Sequence, residues 1–334
     1  MISTSAIFKA SRYNDWWGCK MSPLLAVGYG TAILSDKAVY QVAGGMVLIL
    51  VGLVVGGIYA STINDINDLH DDSLCGKENR ISKIPRKYRW LFSFGSLAAG
   101  VALALFLWQS DPLTSILYAM PCLCFTLYSF EPFRLKRRGL WGVLADAAGA
   151  HLFPVLCMIA AVSMYGKVAI NWPWFILGGT WSFGFGLRGI LWHQFQDRER
   201  DIQAGIHTYA TRLSPTGFRV IPKVIIGIEM LAFSGMMVLL KAYVTIPLFL
   251  IYLWILYYNA DRFGIKPGII VTPAGRANQI FLLDYYIFFF PLALLIQIIG
   301  EPYGPLILIM HLIIFPLTPI RTLKTTYYIV KRIK

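Results

Sequence analysis

Long apolar stretches separated by short polar, often basic, segments set the pattern of this chain. Ten stretches have about membrane-spanning length: 22–36, 39–63, 90–108, 113–130, 141–163, 172–193, 219–240, 244–259, 278–299 and 304–320. A helix needs about 20 apolar residues to cross a hydrocarbon core of roughly 30 Å. The pattern therefore predicts an all-α, polytopic membrane helical bundle. The first, eighth and last stretches are short or carry Pro316 and Pro319.

Two of the polar intervals are alike. The first reads Asn64-Asp65-Ile66-Asn67-Asp68-Leu69-His70-Asp71-Asp72 and the second His193-Gln194-Phe195-Gln196-Asp197-Arg198-Glu199-Arg200-Asp201. Laid position for position, the fifth and ninth residues are Asp in both. On a continuous helix at 100° per residue, Asp65, Asp68 and Asp72 fall within about 60° of one another, and Asp197 and Asp201 share a face. Carboxylates crowded on one face repel one another unless a cation sits among them. A solvated acidic helix end would explain one such cluster, but two matched clusters at equivalent points favour a cation site.

The composition agrees with a membrane chain. Of the 334 residues, 57% are hydrophobic and 14% charged, and the mean hydropathy is +0.61; soluble domains carry about 25% charged residues. The net charge of +13 does not indicate a nucleic-acid partner, because its distribution follows the membrane. Twenty-six of the thirty basic residues fall on one side of the ten-span reading, among them Lys9, Arg12, Lys20, Lys77, Arg80, Lys136 and Lys334. Lys37, Lys167 and Lys241 fall on the other. That positive-inside bias predicts cytoplasmic termini and cytoplasmic acidic clusters. The mixed stretch around Lys9, Arg12 and Lys20 does not read as a cleavable signal peptide. The five cysteines have no zinc-ligand spacing, so packing is the expected role.

The clusters follow the second and sixth stretches, four spans apart. This suggests a single domain over 1–334 made of two related four-helix halves, 1–140 and 141–260, with added helices over 261–334. Asp146, His151, Arg188, Glu229 and Asp284 fall inside predicted spans, where ionisable groups face a cavity or a partner. Arg188 lies on the membrane side of the second cluster and is a candidate ligand contact or a structural ion pair; Glu229 and Asp284 are expected to be structural.

Oxygen-rich clusters without Cys or spaced His suit a hard cation, and Mg²⁺ is commonly held by one or two carboxylates plus substrate phosphates. Beside Lys and Arg, such a site suits a diphosphate. At the mouth of an apolar bundle the remainder of that ligand is lipid-like, most simply an isoprenyl chain.

The Asn-Asp-x-x-Asp-x-x-x-Asp run at 64–72, Asp-x-x-x-Asp at 197–201, their positions after the second and sixth spans, and Tyr128-Ser129 with Lys136-Arg137 resemble the UbiA superfamily of intramembrane prenyltransferases. The resemblance spans about residues 12–300. It implies a ring of helices, usually nine, around a central cavity, so a tenth span exceeds the usual count. It also implies Mg²⁺-dependent transfer of an isoprenyl group from an isoprenyl diphosphate to a lipophilic acceptor, aromatic or otherwise, with membrane lipids as the surroundings. By resemblance Asn64, Asp65, Asp68 and Asp72 hold one Mg²⁺ and the diphosphate, and Asp197 and Asp201 hold a second. Lys77, Arg80, Lys136 and Tyr128 contact the diphosphate, and Arg188 is a further candidate contact from its place in the sixth span. The expected setting is a bacterial cytoplasmic membrane with both motifs on the cytoplasmic side. The sequence departs from the family at Gly76-Lys77-Glu78-Asn79-Arg80, where many quinone-forming members carry Arg-Pro, and at His207, where Lys is frequent.

Two other readings use the same residues. A terpene cyclase of that superfamily would trap the cation on its own double bonds, and a transporter or channel would use the acids as an ion path. The latter predicts acids at the bilayer midplane, whereas the clusters sit at span ends.

Overall fold

The computed structural model describes residues 11–74, 76, 78–203, 205–214, 217–271 and 278–333. Each of the ten predicted stretches contains a helix: α1 Ser22–Leu34, α2 Val39–Asn67, α3 Arg86–Ser110, α4 Pro112–Ser129, α5 Leu140–Gly166, α6 Trp172–Gln203, α7 Val220–Leu240, α8 Thr245–Phe263, α9 Tyr285–Gln297 and α10 Gly304–Ile314. An eleventh, α11, covers Leu317–Ile333. A short parallel strand pair joins β1 Lys266–Gly268 to β2 Asn278–Ile280 between α8 and α9.

Five helices, α2, α3, α4, α5 and α7, are long and apolar enough to cross a membrane by length and composition alone. The others miss that measure for visible reasons. α1 has 13 residues and continues backward through a π-helical turn at Trp17–Met21. α6 ends in the charged second cluster, and Tyr285–Gln297 is short. The predicted tenth span needs correction as a single helix. It is α10 and α11 joined by an 88° bend at Phe315-Pro316, since a proline removes a backbone donor and breaks a helix. At 11 residues, α10 is about 16 Å long. The basic, amphipathic α11 turns away from it, and Arg321 on α11 pairs with Asp284 just before α9.

The packing explains why amphipathic periodicity is weak along these helices. On α7, Glu229 is fully buried while Leu231 is 76% exposed and Val238 is 75% exposed. A soluble protein rarely presents such apolar surface, but hydrocarbon solvates it. The chain is an integral membrane protein. Helices approach through small residues, as membrane packing requires. At Gly52 of α2 a Cβ would lie 2.6 Å from Leu103 and 2.7 Å from Tyr118, and the Tyr118 hydroxyl donates to the Gly52 carbonyl at 3.1 Å. α2 packs on α3, α4 and α5; α5 also meets α1 and α6; α6 pairs with α7; and α9 returns against α1 and α8.

Arg188 on α6 lies inside this packing with no exposed side-chain surface. Its Nε and Nη2 donate to the two Glu229 oxygens, each at 2.6 Å, and Nη1 donates to the Phe281 carbonyl at 2.8 Å. The expectation that Arg188 contacts a diphosphate is therefore corrected. Its donors are committed to α7 and to the segment before α9, which it ties together. A half-made pair of this kind leaves a buried uncompensated charge and costs about 3–5 kcal/mol.

Candidate functional site

Both helices that end in the acidic clusters are longer than a hydrocarbon core requires, which leaves room for charged ends outside it. The 29 residues of α2 span about 43 Å and the 32 of α6 about 48 Å, against a core of roughly 30 Å. α2 stops at Asn67, and Asp68 is its cap at φ −97°, ψ 0°. A six-residue helix, Leu69–Leu74, restarts at once, with the Asp72 amide donating to the Asp68 carbonyl at 2.8 Å. The expected unbroken helical face through Asp65, Asp68 and Asp72 is thus interrupted at its middle residue. Asp197 and Asp201 do share the unbroken α6.

Each carboxylate of the first cluster holds partners from distant sequence. Asp65, fully buried, accepts from Arg12 Nη2 at 2.5 Å and from Arg12 Nε at 3.4 Å. The buried Asn79 amide donates at 2.7 Å both to the Asp65 carbonyl and to Asp72 Oδ2. The loop after α4 closes over the cluster. Lys136 pairs with Asp68, and Arg134 stands 3.7 Å from the same oxygen. Arg134 and Arg137 clamp Asp71 at 3.0 Å and 2.6 Å, and Arg134 also donates to the Asn67 carbonyl at 3.1 Å. Burial pushes the Lys136 ammonium down from its usual range, to about 7, with Arg137 adding to the shift and Asp65 opposing it. The Asp68 carboxylate in contact with it favours the charged form.

The second cluster is looser. Asp197 pairs with Arg200, one turn away, at 2.6 Å, and both side chains are partly exposed. Asp201 is buried, and its carbonyl accepts the Ile206 amide at 2.8 Å as the chain turns back. That return is fixed by Arg198, which donates to the Ala210 and Leu213 carbonyls at 3.0 Å and 3.2 Å.

Tyr128, near the end of α4, connects the two. It lies within electrostatic reach of Arg12, beside the first cluster, and of Asp201 in the second. Its hydroxyl makes no hydrogen bond among the described residues. Arg80 sits at the rim, paired with Asp15 at 2.8 Å and within reach of Asp65. Lys77 lies outside the described residues.

The chemistry of this donor set suits a hard cation accompanied by an anion. Asn64 Oδ1 is buried without a hydrogen-bond partner, an oxygen that wants an electropositive neighbour. No three His, Cys, Asp or Glu side chains among the described residues gather closely enough to hold a metal by themselves. Asp65, Asp68, Asp71, Asp72 and Asp197 each instead face an Arg, Lys or Asn of their own chain. Such a site suits Mg²⁺, which takes only one or two carboxylates and completes its shell with water and phosphate. Two apolar clefts, of about 430 Å³ beside Leu156 and Leu187 and about 360 Å³ beside Phe249 and Tyr285, involve none of the cluster residues.

Sequence reasoning missed Arg12, Asp15, Asn79 and Arg134 as parts of this site. Only Arg134 carried a signal, in the basic run at 134–138; the others are isolated polar residues whose partners lie 7 to 65 positions away.

Comparison with known proteins completes the picture. No curated protein matches the sequence. Among solved structures, a UbiA homolog from Archaeoglobus fulgidus bound to GPP and Mg²⁺ matches with 19% identity and a TM-score of 0.54, over 90% of this chain and 98% of that one. The same homolog bound to DMAPP and Mg²⁺ gives 16% identity and a TM-score of 0.51, over 86% and 96% of the two chains. Its Cd²⁺-bound form gives 18% identity and a TM-score of 0.55, over 86% and 99%. At these identities the likeness establishes the fold. A model of the UbiA prenyltransferase family matches residues 24–266, most of the bundle and both acidic clusters, and the chain therefore belongs to that family.

Proposed function

We propose that this protein transfers an isoprenyl group from an isoprenyl diphosphate to a lipophilic acceptor inside the membrane, with Mg²⁺ as cofactor. The observation that carries the reading is the pair of acidic clusters at the ends of α2 and α6, the first under a basic loop, with Tyr128 near both. The A. fulgidus homolog with GPP and Mg²⁺ supports the ligand class. The twenty-six-to-three split of basic residues supports a cytoplasmic mouth.

Asn64, Asp65, Asp68 and Asp72 on one side, and Asp197 and Asp201 on the other, would hold the metal. Bound Mg²⁺ would offset the negative charge that grows on the departing diphosphate. Arg12, Lys136 and Arg80 face carboxylates in the ligand-free arrangement. With Mg²⁺ held by the acids, these donors would be available to diphosphate oxygens, each as a charge-assisted hydrogen bond. Tyr128 offers its free hydroxyl to the same anion. The apolar helices below exclude water, which would otherwise capture an allylic cation.

The test uses the full-length protein in lipid nanodiscs, titrated with GPP in the presence of Mg²⁺ and again with a chelator. Binding and diphosphate release that require the metal support the reading. GPP affinity indifferent to Mg²⁺ would overturn it.

A further inference from the structure

Below the acidic clusters, four ionisable side chains from three separate parts of the chain are linked as electrostatic neighbours. Lys20 sits on the π-helical turn Trp17–Met21 before α1, and His151 sits on a second π-helical turn, Ala148–Leu152, inside α5. Asp146 precedes it on α5, and His193 lies on α6 one turn before Asp197. Asp146 is within electrostatic reach of Lys20 and His193; His151 is within reach of Lys20; and His193 is within reach of Asp146, Lys20 and Asp197. None of the four makes a hydrogen bond or ion pair among the described residues. All four keep accessible surface although helices surround them. A Cβ built on Gly189, one turn before His193 on the same face, would meet nothing within 4 Å. Opposed charges that could pair, stay apart and border open space leave room for a ligand between them.

This polarity is costly inside a membrane bundle. The proposed diphosphate site borders it through Tyr128, which is within electrostatic reach of Asp146, but none of the four is among the acids and bases of that site. A cavity that only folds a hydrocarbon cation on itself gains nothing from an ammonium and a carboxylate in its wall. Two of the four stand on π-helical turns, which widen a helix locally and often mark functional sites. Phe185 packs edge-on against His151 at 5.1 Å, and Trp192 packs against His193 at 5.1 Å, so an apolar ring has a surface to lie on.

We infer that Lys20, Asp146, His151 and His193 form the acceptor-head site, with Asp146 as the catalytic base for a neutral head that carries a dissociable O–H. The inference rests on the isoprenyl-transfer reading above. Lys20 and Asp146 are of opposite charge, so a neutral hydroxyl head suits the pocket better than a carboxylate or a phosphate. In the transfer, the allylic C–O bond breaks and its electron pair leaves with the diphosphate. The acceptor oxygen forms the new bond to the allylic carbon, and its proton passes to the Asp146 carboxylate. Lys20 holds the oxygen as its negative charge develops. His193, between Asp146 and the mouth, is placed to hand the proton outward.

The experiment supplies GPP and Mg²⁺ to the full-length protein in nanodiscs, with para-octylphenol as acceptor and its methyl ether as control. GPP binding and prenylated product are measured separately. The wild type should prenylate the phenol and leave the ether untouched. Asp146→Asn should lower transfer at least about a hundredfold, the range of a lost general base, while GPP affinity stays unchanged. Lys20→Met should raise the KM for the phenol about tenfold with GPP affinity unchanged, and it serves as the second variant if Asp146→Asn does not fold. A wild type that binds no GPP overturns the isoprenyl-transfer reading itself. A wild type that binds GPP but releases a hydrocarbon without acceptor, or variants that transfer as well as wild type, overturn the acceptor-head site alone.

Discussion

At the end of α2 the helix stops at Asn67, caps on Asp68 and restarts, and every carboxylate there is held by a side chain from another part of the chain. At the end of α6 the helix runs unbroken to Gln203, and Asp197 has its i+3 neighbour Arg200 as an ion-pair partner. The same kind of residue in the same kind of place therefore lives in two electrostatic settings. In the first, burial makes every unpaired acid expensive, so the cluster is fixed in advance by Arg12, Asn79, Lys136 and the Arg134–Arg137 clamp. In the second, Asp201 is buried, but water screens the Asp197–Arg200 pair, and an exposed pair contributes little. If the two clusters form one anion site, as proposed above, a rigid first half suffices to set position while the second is left to adjust.

If both halves grip one diphosphate through metal, the difference in rigidity should vanish in catalysis. Asp68→Ala and Asp197→Ala are each expected to lower GPP turnover by about a hundredfold or more, as lost transition-state stabilisation of a leaving anion does. Steady-state diphosphate release in nanodiscs reads this directly. A variant at Asp197 that keeps wild-type turnover would break the comparison at its centre, by reducing the second cluster to a solvated helix end.

The basic groups should separate the halves. Arg12→Ala removes the partner of a fully buried carboxylate and a candidate diphosphate donor, worth roughly 1.5–3 kcal/mol for a hydrogen bond to a charged group. A GPP titration should show about ten- to hundredfold weaker binding. Unchanged affinity with an unfolded α2 end would mean that Arg12 only neutralises Asp65.

The motif acids were legible in sequence because their spacing is local. Their partners were not: Arg12 stands 53 positions from Asp65 and Arg188 stands 41 from Glu229, and spacing carries no signal over such separations. The ten helices were legible from hydropathy, since lipid demands long apolar runs. Pro316 hinted at the tenth helix's break but not at its 88° angle, which depends on where α11 finds Asp284. The break at Asp68 lay hidden because 100° periodicity assumes the continuous helix that the structure interrupts. Asp71 is the instructive case. It reads as one more acid of the first cluster, yet its 11% exposed side chain is spent on Arg134 and Arg137. Asp71→Ala should cost about 1–3 kcal/mol of stability by stranding two guanidiniums. Hydrogen exchange of the 131–139 loop should rise, with little loss of metal dependence.

The smallest effect belongs to Arg200. Its side chain is 57% exposed and that of Asp197 is 35% exposed, so water screens the pair and holding two long side chains together offsets much of the attraction. Arg200→Ala should change stability by less than about 1 kcal/mol and GPP affinity by less than about fivefold. The comparison makes this a sharp expectation, because the geometrically similar contact at Arg12 is predicted to cost ten- to hundredfold. Measuring both variants in one titration series tests burial as the cause. If Arg200→Ala weakened GPP as much as Arg12→Ala, the second cluster would have to be as dry and as rigid as the first once ligand is bound. The division into a fixed half and an adjustable half would then describe only the ligand-free protein.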